Sequence, residues 1–121
     1  MKTFLIIDDD PKMLDLLKHY LRDESVEILT ALDGEEGLEL FKTNTIDLVI
    51  IDIFMPNMDG IQTILEIKQK KIESKILVIS GGGEYTGLEY LKQAKALGAK
   101  AALVKPFSQE ELLKTVHSMM E

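Results

Sequence analysis

The sequence predicts an α/β domain of the (βα)5 kind, a five-stranded parallel sheet with helices on both faces. Three observations predict it. Continuous apolar runs of buried-strand length recur at Phe4–Ile7, Leu48–Ile51, Ile76–Ile79 and Ala101–Val104. The segments between them switch to helical spacing of apolar residues. Strands that alternate with helices in this way form parallel pairs whose crossovers cover both faces of the sheet. At 121 residues, with no low-complexity stretch or linker, the chain reads as one domain over residues 1–121.

Each element follows in order. Phe4–Ile7 is the first buried strand, and Pro11 suits the opening turn of the helix after it. Asp10, directly before that proline, reads as an N-cap rather than a ligand. Met13, Leu14, Leu17, Tyr20 and Leu21 form the apolar stripe of the first helix. Val26–Thr30 carries Glu27 and reads as an edge strand. Asp33 with Glu36 resembles a capping box ahead of Leu38 and Phe41. Ile61, Ile64 and Leu65 mark the third helix, and Leu88, Leu91, Ala94 and Leu97 a fourth that ends near Gly98. Ala101–Val104 is the weakest strand because it holds two alanines. Ser108 with Glu111 forms a second capping box before Leu112, Leu113 and Val116. Met119-Met120 reads as a frayed end, and His19 and His117 as ordinary helix residues.

Composition narrows the chemistry. The apolar share is 45% and the charged share 29%, which is ordinary for a globular domain. The formal charge is −7, against direct binding to nucleic acid or an anionic membrane, both of which need basic patches. Without cysteine there is no disulfide framework, thiolate zinc site or Cys nucleophile, and two histidines exclude a three-His metal site. No apolar run is long enough for a membrane span or a signal peptide, so a cytoplasmic location is expected. Carboxylates, hydroxyls and amines must do the work.

These groups fall at one edge of the expected sheet. In open parallel α/β sheets, ligands bind outside the carboxyl ends of the strands. The first strand ends in Asp8-Asp9-Asp10, the third in Asp52, the fourth in Ser80 and the fifth in Lys105. Asp52 to Ser80 and Ser80 to Lys105 are each one βα step, so residues distant in sequence converge. Two carboxylates ~4 Å apart repel by about 4 kcal/mol at an effective dielectric near 20. A cluster of them must take up protons or hold a cation. A hard divalent ion, Mg2+ first, satisfies that need with oxygen ligands alone. A carboxylate beside it can attack phosphorus, with the Lys105 ammonium neutralising phosphoryl oxygens and the Ser80 hydroxyl bonding one of them. Taken singly, Asp8 and Asp9 read equally well as solvated acids and Asp52 as a strand end. Gly81-Gly82-Gly83 reads at least as well as a flexible turn as it does as an anion cradle, since no Gly-Lys-Ser/Thr follows. Joint placement at successive strand ends favours the site for Asp8, Asp9, Asp52, Ser80 and Lys105.

These residues resemble the receiver domain of two-component response regulators. Phe4-Leu5-Ile6-Ile7-Asp8-Asp9-Asp10-Pro11 resembles its first strand and acidic pair. The run from Asp47 through Asp52-Ile53-Phe54-Met55-Pro56 to Asp59-Gly60 matches its phosphoacceptor segment. Ile76–Gly81 and Ala102–Phe107 resemble its hydroxyl and lysine segments. The resemblance implies a flavodoxin-like three-layer sandwich with strand order 2-1-3-4-5. It implies that Asp52 accepts a phosphoryl group from a histidine kinase or histidine phosphotransfer protein. Mg2+, with Mn2+ as a substitute, would be bound by Asp9, Asp52 and the Phe54 backbone carbonyl, and by Asp8 through water. Ser80 and Lys105 would contact the phosphoryl oxygens, and Lys105-Pro106 would be a cis peptide. Such a protein is a signalling switch rather than an enzyme, catalysing only its own phosphorylation and dephosphorylation. With no output segment after the last helix, the chain reads as a stand-alone regulator that binds a downstream protein or passes phosphate onward, with a receiver belonging to a longer, DNA-binding regulator as the alternative. The family's usual partner face would include Tyr85, Tyr90 and Lys92.

Two positions depart from the family pattern. Ala102 stands three residues before the lysine, where receivers usually carry Tyr or Phe, so a rotating aromatic cannot report on Ser80. The Gly81–Gly83 loop and the helix beginning near Glu84 are expected to carry the signal instead. Phe54 and Gly82 replace the polar side chains that often orient attacking water, which implies slow self-dephosphorylation. Two other functions compete. A haloacid-dehalogenase-type phosphatase also uses a strand-end Asp-x-Asp, but Lys12 stands where Thr or Val belongs and a late acidic pair is missing. A receiver-like binding module that works without phosphorylation would have no reason to keep repelling carboxylates together.

Overall fold

A computed structural model describes residues 1–53, 55, 59–81 and 92–121. Five strands form one sheet: β1 (Lys2–Ile7), β2 (Val26–Ala31), β3 (Leu48–Asp52), β4 (Lys75–Ser80) and β5 (Ala101–Val104). The helices are α1 (Pro11–Tyr20), α2 (Gly34–Leu40), α3 (Gly60–Gln69), α4, described over 92–96, and α5 (Gln109–Met120). Strand order is β2-β1-β3-β4-β5 and every pair is parallel, with Phe4 beside Leu48, Leu48 beside Lys75 and Leu77 beside Ala101. The expected edge position of Val26–Thr30 is the observed one.

Alternation along the strands sends side chains to two separate cores. Phe4, Ile6, Leu48, Ile50, Leu77 and Ile79 face one side, where Leu14 and Leu17 of α1 and Leu112 and Val116 of α5 cover them. Leu5, Ile7, Val49, Ile51, Ile76 and Val78 face the other, against Ile64 and Ile67 of α3 and Ala94 of α4. The central strands are apolar at both parities because both faces are covered. Each fully buried Leu or Ile contributes about 1.5–3 kcal/mol relative to exposure, and the sheet is set rigidly between the helical layers.

Helix ends follow local chemistry. Asp10, Asp33 and Asp59 accept from the backbone N–H groups of Lys12, Glu36 and Gln62, and so cap α1, α2 and α3. Ser108 and Glu111 complete a reciprocal capping box on α5. α4 ends in a Schellman motif: Gly98 has φ 115°, and the Gly98 and Ala99 amides donate to Lys95 and Ala94 carbonyls. α3 ends in the same motif with Lys71, φ 57°, at the position glycine usually holds.

One terminal expectation is corrected. Met119-Met120 is not a frayed end, because α5 continues through Met120 and Met119 is buried in the core. The Lys75 ammonium donates to the Met119 carbonyl at 2.6 Å, placing a cation where the helix macrodipole is negative. His117 also ties this helix down, with Nε2 2.6 Å from Glu24 Oε1. Leu88 and Leu91 lie outside the described residues.

Candidate functional site

The carboxyl ends of β1, β3, β4 and β5 bring together Asp8, Asp9, Asp52, Ser80 and Lys105. Asp8 follows β1, and its amide donates to the Ala31 carbonyl at the end of β2. Its side chain is 1% exposed for the residue, Asp52 is 6% exposed and Ser80 is fully buried, whereas Asp9 faces solvent. One carboxylate oxygen from each of Asp8, Asp9 and Asp52 lies within 4.8 Å of the others.

Lys105 reaches this cluster from β5. Its Nζ lies 3.3 Å from Asp8 Oδ2 and 3.5 Å from Asp52 Oδ2. Its backbone amide donates to the Ser80 carbonyl at 2.8 Å, which fixes the stem of the side chain beside β4. The Lys105-Pro106 peptide is cis, as the resemblance implied. Pairing of Lys105 with Asp8 was not readable from the motifs, which placed the lysine only against phosphoryl oxygens.

Asp8 and Asp52 are held where water solvates them poorly. Burial pushes the Asp8 carboxyl above the ordinary carboxylate range. Its hydrogen bond from the Asp10 amide, 2.9 Å long, and the Lys105 ammonium pull the other way without prevailing. A folded-state pKa above the unfolded value means that the native state binds this proton more tightly. Stability therefore falls as pH rises from the ordinary carboxylate value through the raised one, and the full penalty is present only above the raised value. The Asp8→Asn protein keeps the acceptor for the Asp10 amide and loses the buried charge. It should be more stable than the parent by about 1 kcal/mol at pH 7 in chelator, with a flatter pH profile just above the ordinary carboxylate range. Urea melts at several pH values check this; a less stable Asp8→Asn protein contradicts it.

Among the described residues, three clustered carboxylates, two of them beside the Lys105 ammonium, make a site short of positive charge. The donor set fits a hard divalent cation, which takes oxygen ligands and needs neither Cys nor His. Phe54, whose backbone carbonyl was the remaining expected ligand, lies outside the described residues, as do Gly82, Gly83, Glu84, Tyr85 and Tyr90. Gly81 is exposed, and Lys92 is exposed on α4. Ala102 lies on the α3 and α4 side of β5, beside Val78 in register.

Two residues essential to this geometry had no role assigned from sequence. Asp59 caps α3, and Gly60 brings the first turn of that helix against the end of β3. Its amide donates to the Ile53 carbonyl at 2.9 Å, and a Cβ there would lie 2.6 Å from the Asp52 carbonyl oxygen. The Asp-Gly pair ahead of the Ile61 stripe was the available signal.

Comparison with known proteins converges on one family. The family model for the response regulator receiver domain matches residues 4–117. The alkaline phosphatase synthesis transcriptional regulatory protein PhoP of Bacillus subtilis is 32% identical over 98% of this chain and 48% of its own length. The chain spans about half the length of the curated relatives it matches. Among solved structures, the chemotaxis protein CheY4 of Vibrio cholerae superposes with TM-score 0.88 at 31% identity, covering 98% of both chains. The response regulator TrrA of Thermotoga maritima, solved in complex with Mg2+ and BeF, superposes with TM-score 0.82 at 36% identity, covering 98% of this chain and 99% of its own.

Proposed function

Because this chain belongs to the response regulator receiver domain family, we propose that it is a phosphoacceptor switch in which Asp52 takes a phosphoryl group from a phosphohistidine. Receiver domains of this family act in two-component signalling. The observation that carries the reading is the buried Asp52 carboxylate beside Asp8 and Asp9, with the Lys105 ammonium within 3.5 Å. The whole chain, residues 1–121, is read as one receiver domain located in the cytoplasm. Among the described residues no helix is long and apolar enough to cross a membrane.

In the proposed transfer, a carboxylate oxygen of Asp52 bonds to phosphorus as the P–N bond of the donor breaks. The imidazole leaves with the bonding electron pair, protonated on its other nitrogen. Water later adds at phosphorus, releasing inorganic phosphate and restoring the carboxylate. Lys105 lies between Asp8 and Asp52, where its charge offsets that of the incoming phosphoryl oxygens. Ser80, at the end of β4, supplies a hydroxyl for one of those oxygens. Asp9, Asp52 and the Phe54 carbonyl would hold Mg2+ or Mn2+, with Asp8 acting through water. The ion, when bound, supplies positive charge for the carboxylates and the phosphoryl group together. TrrA, which shares this fold and family, has been solved with Mg2+ and BeF. The donor is a histidine kinase or a histidine phosphotransfer protein, and the recipient of the signal is a protein rather than nucleic acid or membrane.

The test is incubation with acetyl phosphate, with and without Mg2+, followed by intact mass. A gain of one phosphoryl group that needs Mg2+ is expected; no gain under either condition contradicts the reading. The absence of side-chain hydrogen-bonding groups suited to orienting water at Phe54 and Gly82 extends it to slow self-dephosphorylation. A Phe54→Asn protein should lose its phosphoryl group faster than the parent, and an equal or longer lifetime contradicts that extension.

A further inference from the structure

A second feature lies away from the strand-end site, in the groove between α2 and α3. It encloses about 700 Å3 and has an apolar floor of Leu38, Phe41 and Ile72, each only half-buried. Its walls carry Glu35, Glu36 and Glu39 from α2 and Glu66 from α3. With Asp33, five carboxylates line the groove against two lysines, Lys42 and Lys70.

Helix stability accounts for only part of this charge. Glu35 and Glu36 sit in the first turn of α2, where the macrodipole favours them. Glu39 sits near its C-terminal end, where a negative charge is disfavoured, and it is also i,i+4 from Glu35. Lys42 pairs with Glu39 at 2.8 Å, but both side chains are more than two-thirds exposed, and such pairs contribute little. Glu39 therefore opposes local helix preference, and with the other acids it flanks an apolar strip that none of the described residues covers.

We propose that this groove docks a cationic amphipathic helix of a partner protein. An apolar stripe on such a helix would fill the floor, with Phe41 as the aromatic anchor, and Lys or Arg on its flanks would meet the α2 glutamates and Glu66. Charge decides between occupants: carboxylates on both sides repel nucleic acid and anionic lipid and attract a basic segment. The proposal stands on the groove alone and does not depend on the chemistry at Asp52.

The probe is a labelled Leu/Lys amphipathic helical peptide, compared with a scrambled peptide of the same composition and a Leu/Glu counterpart. Fluorescence anisotropy should show saturable binding of the first, about tenfold weaker binding of the scramble and none of the third. Amide shifts on the intact chain should map to residues 33–42 and 66–72. The double substitution Glu35→Lys and Glu66→Lys should weaken binding by about tenfold, whereas Glu110→Lys on the exposed face of α5 should not. Circular dichroism on each variant separates lost binding from lost fold, and the amide map needs no variant. Equal binding of the scrambled peptide, or equal loss in Glu110→Lys, overturns the proposal. So do shifts confined to other surfaces, or concentration-dependent dimerisation abolished by the double substitution.

Discussion

Gly60→Ala should destabilise the fold by about 3 kcal/mol and weaken phosphoryl uptake as well. The added Cβ would lie 2.6 Å from the Asp52 carbonyl oxygen and 2.7 Å from Ile53 Cα. Both obstacles are backbone, so no side-chain rotation relieves the contact. Either α3 lifts off β3, losing the Gly60 amide bond to the Ile53 carbonyl, or the end of β3 shifts and carries Asp52 with it. Gly81→Ala is the control, since a Cβ there meets nothing within 4 Å; its effect should stay within about 0.5 kcal/mol. Urea denaturation of both variants checks the pair, and a Gly60→Ala protein as stable as the parent contradicts the packing at this helix start.

The second large effect concerns the ammonium. Lys105→Met keeps a similar apolar stem and removes the cation beside Asp8 and Asp52. Removing one partner of a buried pair costs about 3–5 kcal/mol when both are enclosed. Lys105 keeps 23% side-chain exposure, so water offsets part of the loss and about 2 kcal/mol is expected in chelator. If the acidic cluster holds Mg2+ as proposed, the ion should then stabilise Lys105→Met more than the parent, because it would bind the folded site and supply charge that the lysine no longer provides. Thermal melts with EDTA and with Mg2+ measure both. Equal stability of parent and variant in EDTA would show that the lysine does not offset the buried acids. Combining Asp8→Asn with Lys105→Met should recover part of the loss, which places the two residues in one electrostatic unit.

How far the sequence alone reaches is clear from individual residues. The strands were readable because a sheet covered on both faces leaves its central strands apolar at every position, as in Leu48–Ile51. Glu27 marked β2 as the edge because one charged residue is tolerated where water reaches it. Asp33 and Ser108 named their own helix starts, since capping is a local interaction between a side chain and the next amides. The strand order was not derivable from periodicity and came from the resemblance. The end of α5 was misread because Met119 is held by Lys75, a partner distant in sequence. Lys71 at the end of α3 gave no signal, because a left-handed residue is expected to be glycine.

At the site the same division holds. Residue types and strand-end spacing pointed to Asp8, Asp9, Asp52 and Lys105, which lie close together, and to Ser80, which ends β4. They could not show that Asp8 is buried and paired with Lys105 while its neighbour Asp9 is exposed, because that depends on where α1 leaves the sheet. Nor could they show the tight approach of Gly60 to Asp52, a contact between backbone segments that no side-chain pattern reports.

Among the three clustered aspartates, Asp52 is the group proposed to become phosphorylated. Borohydride reduction converts an acyl phosphate on aspartate to homoserine, which tandem mass spectrometry locates in the chain. After treatment with acetyl phosphate and Mg2+, reduction should mark position 52 in the parent protein and no position in Asp52→Asn. Homoserine at position 8 or 9, or the phosphoryl group found on Ser80, would contradict it.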